Sequence, residues 1–219
     1  LKDWPTSSDF ADVMKDHFID LMKAVPFSAY TTRSGKFNLA KYLHTYFCSP
    51  DLGPKMYSAY GQELMPAKAG STNLHLDVSD AINVLVHVSK PIDFELSPSQ
   101  YSDEAVKKTL EFCGCDNEEI QAFLRKEKIP GAIWYIYSAS EADAIRKILF
   151  EVAREKGKPL ARNDDPLHNQ DCFIDHNLRK RLQQCGINGH SIVQWEGDAV
   201  FIPAGSPHQV LNIFDCIKV

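Results

Sequence analysis

The chain has 219 residues, 44% of them hydrophobic, with a formal charge of −5 and a pI near 5.9. That is enough apolar material for one sizeable core, and the acidic balance excludes a protein that grips nucleic acid through its own surface, because phosphate binding needs a clustered excess of Lys and Arg. No stretch reaches the ~20 apolar residues of a helical membrane span, and the six cysteines lack the C-x-x-C spacing of a zinc site, so they read as free thiols.

The sequence begins without Met and stops at Val219 inside an apolar run, so it reads as a segment of something longer. Apolar residues at Phe10, Val13, Met14, Phe18, Leu21 and Met22 recur at helical spacing, with Ser7 or Ser8 as N-cap, and predict one amphipathic helix over a core. Residues 30 to 70 are irregular, with a turn signal at Asp51-Leu-Gly-Pro54. From Ser71 to Val88, β-branched and apolar residues predict a buried strand or strand pair closed by Pro91. A polar block at 97–130 carries two helical periods, Val106-Leu110-Phe112 and Ile120-Phe123-Leu124, and reads as a helical surface insertion.

Trp134 to Tyr137 returns to strand, and Ser140 opens a long helix with Ile145, Ile148, Leu149 and Val152 on one face and Gly157 past its end. Leu178 to Cys185 is a short helix stopped by Gly186. Ser191 to Trp195 is a strand, Ala199 to Ile202 an apolar run between tight turns, and Gln209 to Val219 a closing strand. Short strands, tight turns and outlying helices predict a mainly β fold with α decoration, an antiparallel barrel in a single domain over 1–219.

His75-Leu-Asp77 is expected at the start of a strand, where side chains two apart share a face and both can reach one metal. Completed by a second imidazole, they form a 2-His-1-carboxylate triad, which leaves three positions open on Fe(II). Alone the H-x-D pattern is weak in a chain with eight histidines and 29 acidic residues, where a satisfied core histidine is the commoner case. The far end sharpens it: Glu196-Gly-Asp-Ala-Val-Phe-Ile-Pro-Ala-Gly-Ser-Pro-His208 sets a histidine just after a strand, a tight turn and a second proline, a rigid mounting for a ligand. His87, His168 and His176 read as core or surface residues. Tyr57, Tyr60, Trp134 and Tyr137 fit either a methyl-ammonium pocket or the core.

Five stretches resemble one family: Asp51-Leu-Gly-Pro-Lys-Met-Tyr57, Thr72-Asn-Leu-His-Leu-Asp-Val-Ser-Asp80, Pro130-Gly-Ala-Ile-Trp134, Leu178-Arg-Lys-Arg-Leu182 and Gly197-Asp-Ala-Val-Phe-Ile-Pro-Ala-Gly-Ser-Pro-His-Gln-Val210. In order along nearly the whole chain, they resemble the JmjC domain of Fe(II)/2-oxoglutarate oxygenases, and within it the histone H3 lysine-9 demethylases. The resemblance implies a double-stranded β-helix of jelly-roll or cupin type, with His75, Asp77 and His208 holding Fe(II). It implies Thr72 and Asn83 as contacts of 2-oxoglutarate, and Lys90 as the cation for the far carboxylate, although relatives carry that lysine where this chain has Ile92.

The implied reaction uses O₂ to demethylate N-methyl-lysine, most readily mono- or dimethylated H3 lysine 9, with release of formaldehyde and succinate. The implied partner is a methylated histone H3 tail, in the nucleus; a second copy of the chain is a further candidate partner, and charge and hydropathy argue against direct nucleic-acid binding and a membrane. A JmjC protein hydroxylase and an inactive chromatin-binding JmjC module are the competing readings; the three metal-ligand types are all present, against the latter.

Overall fold

The structure, a computed structural model, describes residues 8–47, 53–62, 64, 70–89, 102–161 and 163–219. The chain divides into two compact units, residues 1–56 with Val219, and residues 57–218.

In the first unit, α1 (Phe10–Val13), α2 (Lys15–Ala24) and α3 (Ser28–Thr31) are followed by a 3₁₀ turn, Leu39–Tyr42. The single helix expected at the start is two, because Met14 leaves the helical region at φ −130°, ψ 58°. The cap is Asp9 rather than a serine: its carboxylate accepts the Ala11 N–H and also pairs with Arg33, which holds its carboxyl below the usual range. None of the α1 or α2 residues is buried, so the predicted core-covering face has no buried members.

Among its described residues the second unit holds eight strands: β1 (Tyr57–Ala59), β2 (Thr72–His75), β3 (Ala81–Ser89), β4 (Pro130–Ile136), β5 (His190–Trp195), β6 (Ala199–Ile202), β7 (His208–Asn212) and β8 (Asp215–Lys218). They form two four-stranded antiparallel sheets, in the orders β1-β8-β3-β6 and β2-β7-β4-β5. This is the double-stranded β-helix arrangement the resemblance implied. The strand expected over Gln209 to Val219 is two. At Ile213-Phe214, both fully buried, the chain leaves one sheet as β7 and enters the other as β8.

The sheets meet face to face because alternate residues of each are apolar. Ala132, Trp134 and Ile136 of β4 and Val210 of β7 pack against Val200 and Ile202 of β6. Four helices cover the sheets from outside: α4 (Asp103–Cys113), α5 (Asn117–Leu124), α6 (Ala142–Glu155) and α7 (His176–Gln184). Ser102 and Asp116 cap α4 and α5, the latter with a complete capping box to Glu119. Val106, Leu110, Ile120 and Phe123 from these two helices are buried with Ile133 and Trp195, so the described part of the 97–130 stretch shares the sheet core. Ile145, Ile148 and Leu149 of α6 join Leu178 and Leu182 of α7 over Leu74 and Tyr137. Each such burial contributes roughly 1.5–3 kcal/mol, which fixes the outer face of β2 and turns its other face toward the gap between the sheets.

Candidate metal centre

β2 and β7 pair antiparallel, with His75 opposite His208 and Thr72 opposite Val210. Thr72 and His75 are three positions apart on β2 while Val210 and His208 are only two apart on β7, so β2 carries a bulge. The extra residue changes the arithmetic of faces. His208 and Val210, two apart, share a face, and therefore so do His75 and Thr72, which a regular strand would set on opposite sides. Leu74 absorbs the irregularity: its N–H donates to the Cys172 carbonyl and its side chain is fully buried under the helices.

The two imidazoles lie with ring centroids 4.3 Å apart. Each has Nδ1 2.9 Å from a carbonyl oxygen two residues back, His75 from Asn73 and His208 from Ser206. An Nδ1–H donated there fixes the tautomer and leaves the Nε2 lone pair free for a cation. Asp77 arrives differently from the sequence expectation. His75 is the last residue of β2, not near the start of a strand, and Asp77 lies in the 76–80 loop before β3. Its carbonyl accepts the Gly205 N–H at 2.8 Å, and the Asp80 carboxylate accepts the Ala204 N–H at 2.7 Å. These two bonds staple the Asp77 loop to the turn that precedes His208, and bring the Asp77 carboxylate to 3.7 Å from His208 Nε2.

One ligand atom from each of His75, Asp77 and His208 lies within 4.8 Å of the other two. His208 is buried, whereas the Asp77 side chain is 47% exposed, so the cluster opens to solvent on one side. Burial pushes the His208 pKa below the ordinary histidine value, helped by the neighbouring His75 and opposed by the Ser206 carbonyl and Asp77. The ring is thus neutral near pH 7, the state a metal needs.

Behind His208 stands Trp134, its ring stacked at 6.0 Å and 26°. The indole N–H donates to Gln194 Oε1 at 2.8 Å, and the Gln194 amide reaches the Asn83 carbonyl and side-chain oxygen on the opposite sheet. Of the residues expected at the site, the structure gathers His75, Asp77 and His208. It sets Thr72 on the same face and links Asn83 through Gln194 and Trp134. Lys90 lies outside the described residues. Tyr137 is buried beneath α6, Tyr57 and Tyr60 are exposed, and His87 sits 3.3 Å from Glu196. Sequence reading missed Gln194 and Lys218. The available signal was a polar residue in an apolar strand, Ile192-Val-Gln-Trp195 and Cys216-Ile-Lys218, each of which needs a partner once buried.

The profile described as "JmjC domain, hydroxylase" matches residues 114–219. Lysine-specific demethylase 3 of Drosophila melanogaster is 49% identical over all of this chain and a quarter of its own length. Human lysine-specific demethylase 3A is 48% identical over all of this chain and 16% of its own length. The human probable JmjC domain-containing histone demethylation protein 2C is 38% identical over all of this chain and 8% of its own. Residues 114–219 thus match a JmjC domain, and the similarity to lysine-specific demethylases extends over the whole chain. It spans a quarter or less of these relatives. The matched JmjC segment contains His208 and Trp134, while His75 and Asp77 fall in the part covered by the full-length similarity to the demethylases. Two imidazoles and a carboxylate with converging lone pairs suit a divalent first-row metal with open coordination positions, so the donor set fits Fe(II).

Proposed function

We propose that this chain is the catalytic part of an Fe(II)- and 2-oxoglutarate-dependent demethylase of N-methyl-lysine in histone tails, with mono- and dimethylated H3 lysine 9 as the preferred substrate. The observation that carries it is the cross-strand pairing of His75 with His208 beside Asp77, in a JmjC chain about half identical to lysine-specific demethylases. Iron held there supplies, with O₂ and 2-oxoglutarate, the oxidising power that removes the methyl carbon as formaldehyde and leaves succinate and CO₂.

The chain's own residues supply the setting. His75 and His208 present Nε2 while their Nδ1–H groups are spent on backbone carbonyls. Thr72, on the same face of β2, offers a hydroxyl to a carboxylate of the co-substrate, and Asn83 offers its amide from the opposite sheet. Trp134 and Val210 keep water from the side behind His208, and the exposed Asp77 side is where a lysine enters. A nuclear location, a histone tail as partner, association with a second copy of the chain and no direct hold on nucleic acid belong to the same proposal. The formal charge of −5 favours a basic tail.

The test is mass spectrometry of methylated H3 tail peptides incubated with the chain, Fe(II), ascorbate and 2-oxoglutarate. Loss of one CH₂ per methyl group with formaldehyde release is the expected result, abolished in His75→Ala and Asp77→Ala. Gain of one oxygen on the peptide would make the protein a hydroxylase, and absence of O₂ consumption would make it a binding module.

A further inference from the structure

We propose that Arg179 anchors a second binding site, on the reverse of the sheet that carries the metal centre, which takes a carboxylate side chain from an acidic peptide segment of a partner protein. The site uses none of the metal-centre residues and stands apart from the proposed reaction.

The stretch Leu178-Arg-Lys-Arg-Leu182 lies in α7, which uses its residues in different ways. Leu178 and Leu182 are buried against α6, and Arg181 forks onto Glu151 and Glu155 of that helix. Arg179 and Arg181 are separated by about 200° of helix, so Arg179 turns to the opposite side, toward α4. Its Cζ lies 4.4 Å from the Tyr135 ring centroid and 5.4 Å from that of Phe112, within cation–π range of both. Its Nη2 donates to Ser191 Oγ at 2.9 Å. Its Nη1 is buried without a hydrogen-bond partner, and among the described residues no carboxylate pairs with it. A covered donor on a cation carries its full desolvation cost until an acceptor reaches it.

Phe112, His176, Arg179, Lys180 and Gln183 line a cavity of about 230 Å³ between α4 and α7. None of the five is acidic and three are basic, on a chain whose formal charge is −5, so this spot favours an anion where the chain as a whole favours cations. The volume falls below the roughly 300–1,000 Å³ of a small-molecule pocket, and suits the end of one side chain. A second cavity, of about 220 Å³, is lined by Ser191, which Arg179 holds, and by Cys113, next to Phe112 in α4. Its one acidic lining residue, Glu119, is engaged by the Asp116 N–H. Two small sites joined through these residues fit a chain segment better than a lone ion. The anion is a carboxylate because a planar guanidinium held against aromatic rings matches it with two parallel N–H···O bonds. Turning aside the Phe112 ring, 45% exposed, lets that carboxylate reach Nη1. Tyr135 and Trp134 are adjacent on β4 and point to opposite faces, Trp134 to His208 and Tyr135 to Arg179, which separates the two sites.

The experiment is fluorescence anisotropy of labelled peptides added to the full chain: repeats of Glu-Leu-Gly, the same repeats with glutamine for glutamate, and the same with phosphoserine for glutamate. The wild type is expected to bind the glutamate peptide ~10-fold or more tighter than the glutamine peptide, and no weaker than the phosphoserine peptide. Arg179→Met should lose most of that preference and Arg179→Lys should restore part of it. Lys180→Glu, an exposed change that sets a competing carboxylate in the pocket, should lose it too. Arg154→Met and Arg154→Glu make the same charge changes at an exposed position of α6 and should keep it. Far-UV circular dichroism reports whether each variant is folded. Equal binding of the glutamate and glutamine peptides overturns the site. So does a preference that survives in folded Arg179→Met, or in Lys180→Glu if Arg179→Met does not fold, and so does an equal loss in the Arg154 variants. Tighter binding of the phosphoserine peptide overturns the choice of a carboxylate.

Discussion

A neutral imidazole and a buried ammonium face each other across Trp134, and burial acts on both in the same direction, lowering the pKa of His208 and of Lys218. For Lys218 the consequence for stability can be signed. The folded value of about 8 lies below the ordinary 10.5, so between those limits the unfolded chain binds more protons and stability rises with pH. The contribution across that window is on the order of 3 kcal/mol. In Lys218→Met it is absent. Urea denaturation of wild type and Lys218→Met at pH 7.5 and 10.5 should show the difference between them shifting in favour of the wild type at the higher pH. An unchanged difference would mean the ammonium is hydrated.

At the scale of elements, the bulge in β2 and the crossing from β7 to β8 do the positioning. The bulge turns Thr72 to the side of His75, and the crossing sends His208 into one sheet and Lys218 into the other. Gly61 packs against that crossing: a Cβ there would stand 2.7 Å from the Ile213 carbonyl oxygen and 3.0 Å from the Phe214 Cα. Both are backbone atoms with no rotamer to yield, so Gly61→Ala must displace the crossing. It is expected to cost ~1–3 kcal/mol and to lower Tm by about 2–4 °C per kcal/mol, read by thermal denaturation. A Tm equal to wild type would show that the crossing can shift freely. The predicted long helix is α6, with Ile145, Ile148 and Leu149 buried and Gly157 at φ +69° just past its end, where a left-handed residue is needed to close the last turn.

At the scale of the molecule, the metal centre is a long-range closure. His208 lies 131 residues beyond Asp77, and a metal bound to both joins the loop after β2 to β7 in the folded state only. Binding to the native state adds RT ln(1 + [L]/Kd), about 2.7 kcal/mol at a hundredfold excess over Kd. Mn(II) should therefore raise the Tm of the wild type, and His208→Ala, which melts below the metal-free wild type because it empties a buried site stacked on Trp134, should lose most of that rise. A full metal-induced shift in His208→Ala would send the search for a third ligand to His87 and His190. The negative charge acts at the same scale: under the proposed function, turnover of a basic tail should slow as salt is added, because screening weakens its long-range attraction.

What the sequence by itself determined was local. Helical and strand periods marked α6, α7 and β4, and the flanks of His208 together with the family resemblance of five stretches singled out His75, Asp77 and His208, because those signals depend on a few neighbouring residues each. Register is a property of two strands at once, and only the tertiary structure decided it. A two-residue period states which alternate side chains share a face, but not where the strand slips by one, and so could not place Thr72 beside His75. Nor could it show that Asp77 reaches the site on a loop stapled to Gly205, or that Gln194 joins Asn83 to Trp134. Lys218 is one lysine among many in the sequence. Its uncompensated burial beside Asn212 and Trp134 exists only once two sheets have closed over it.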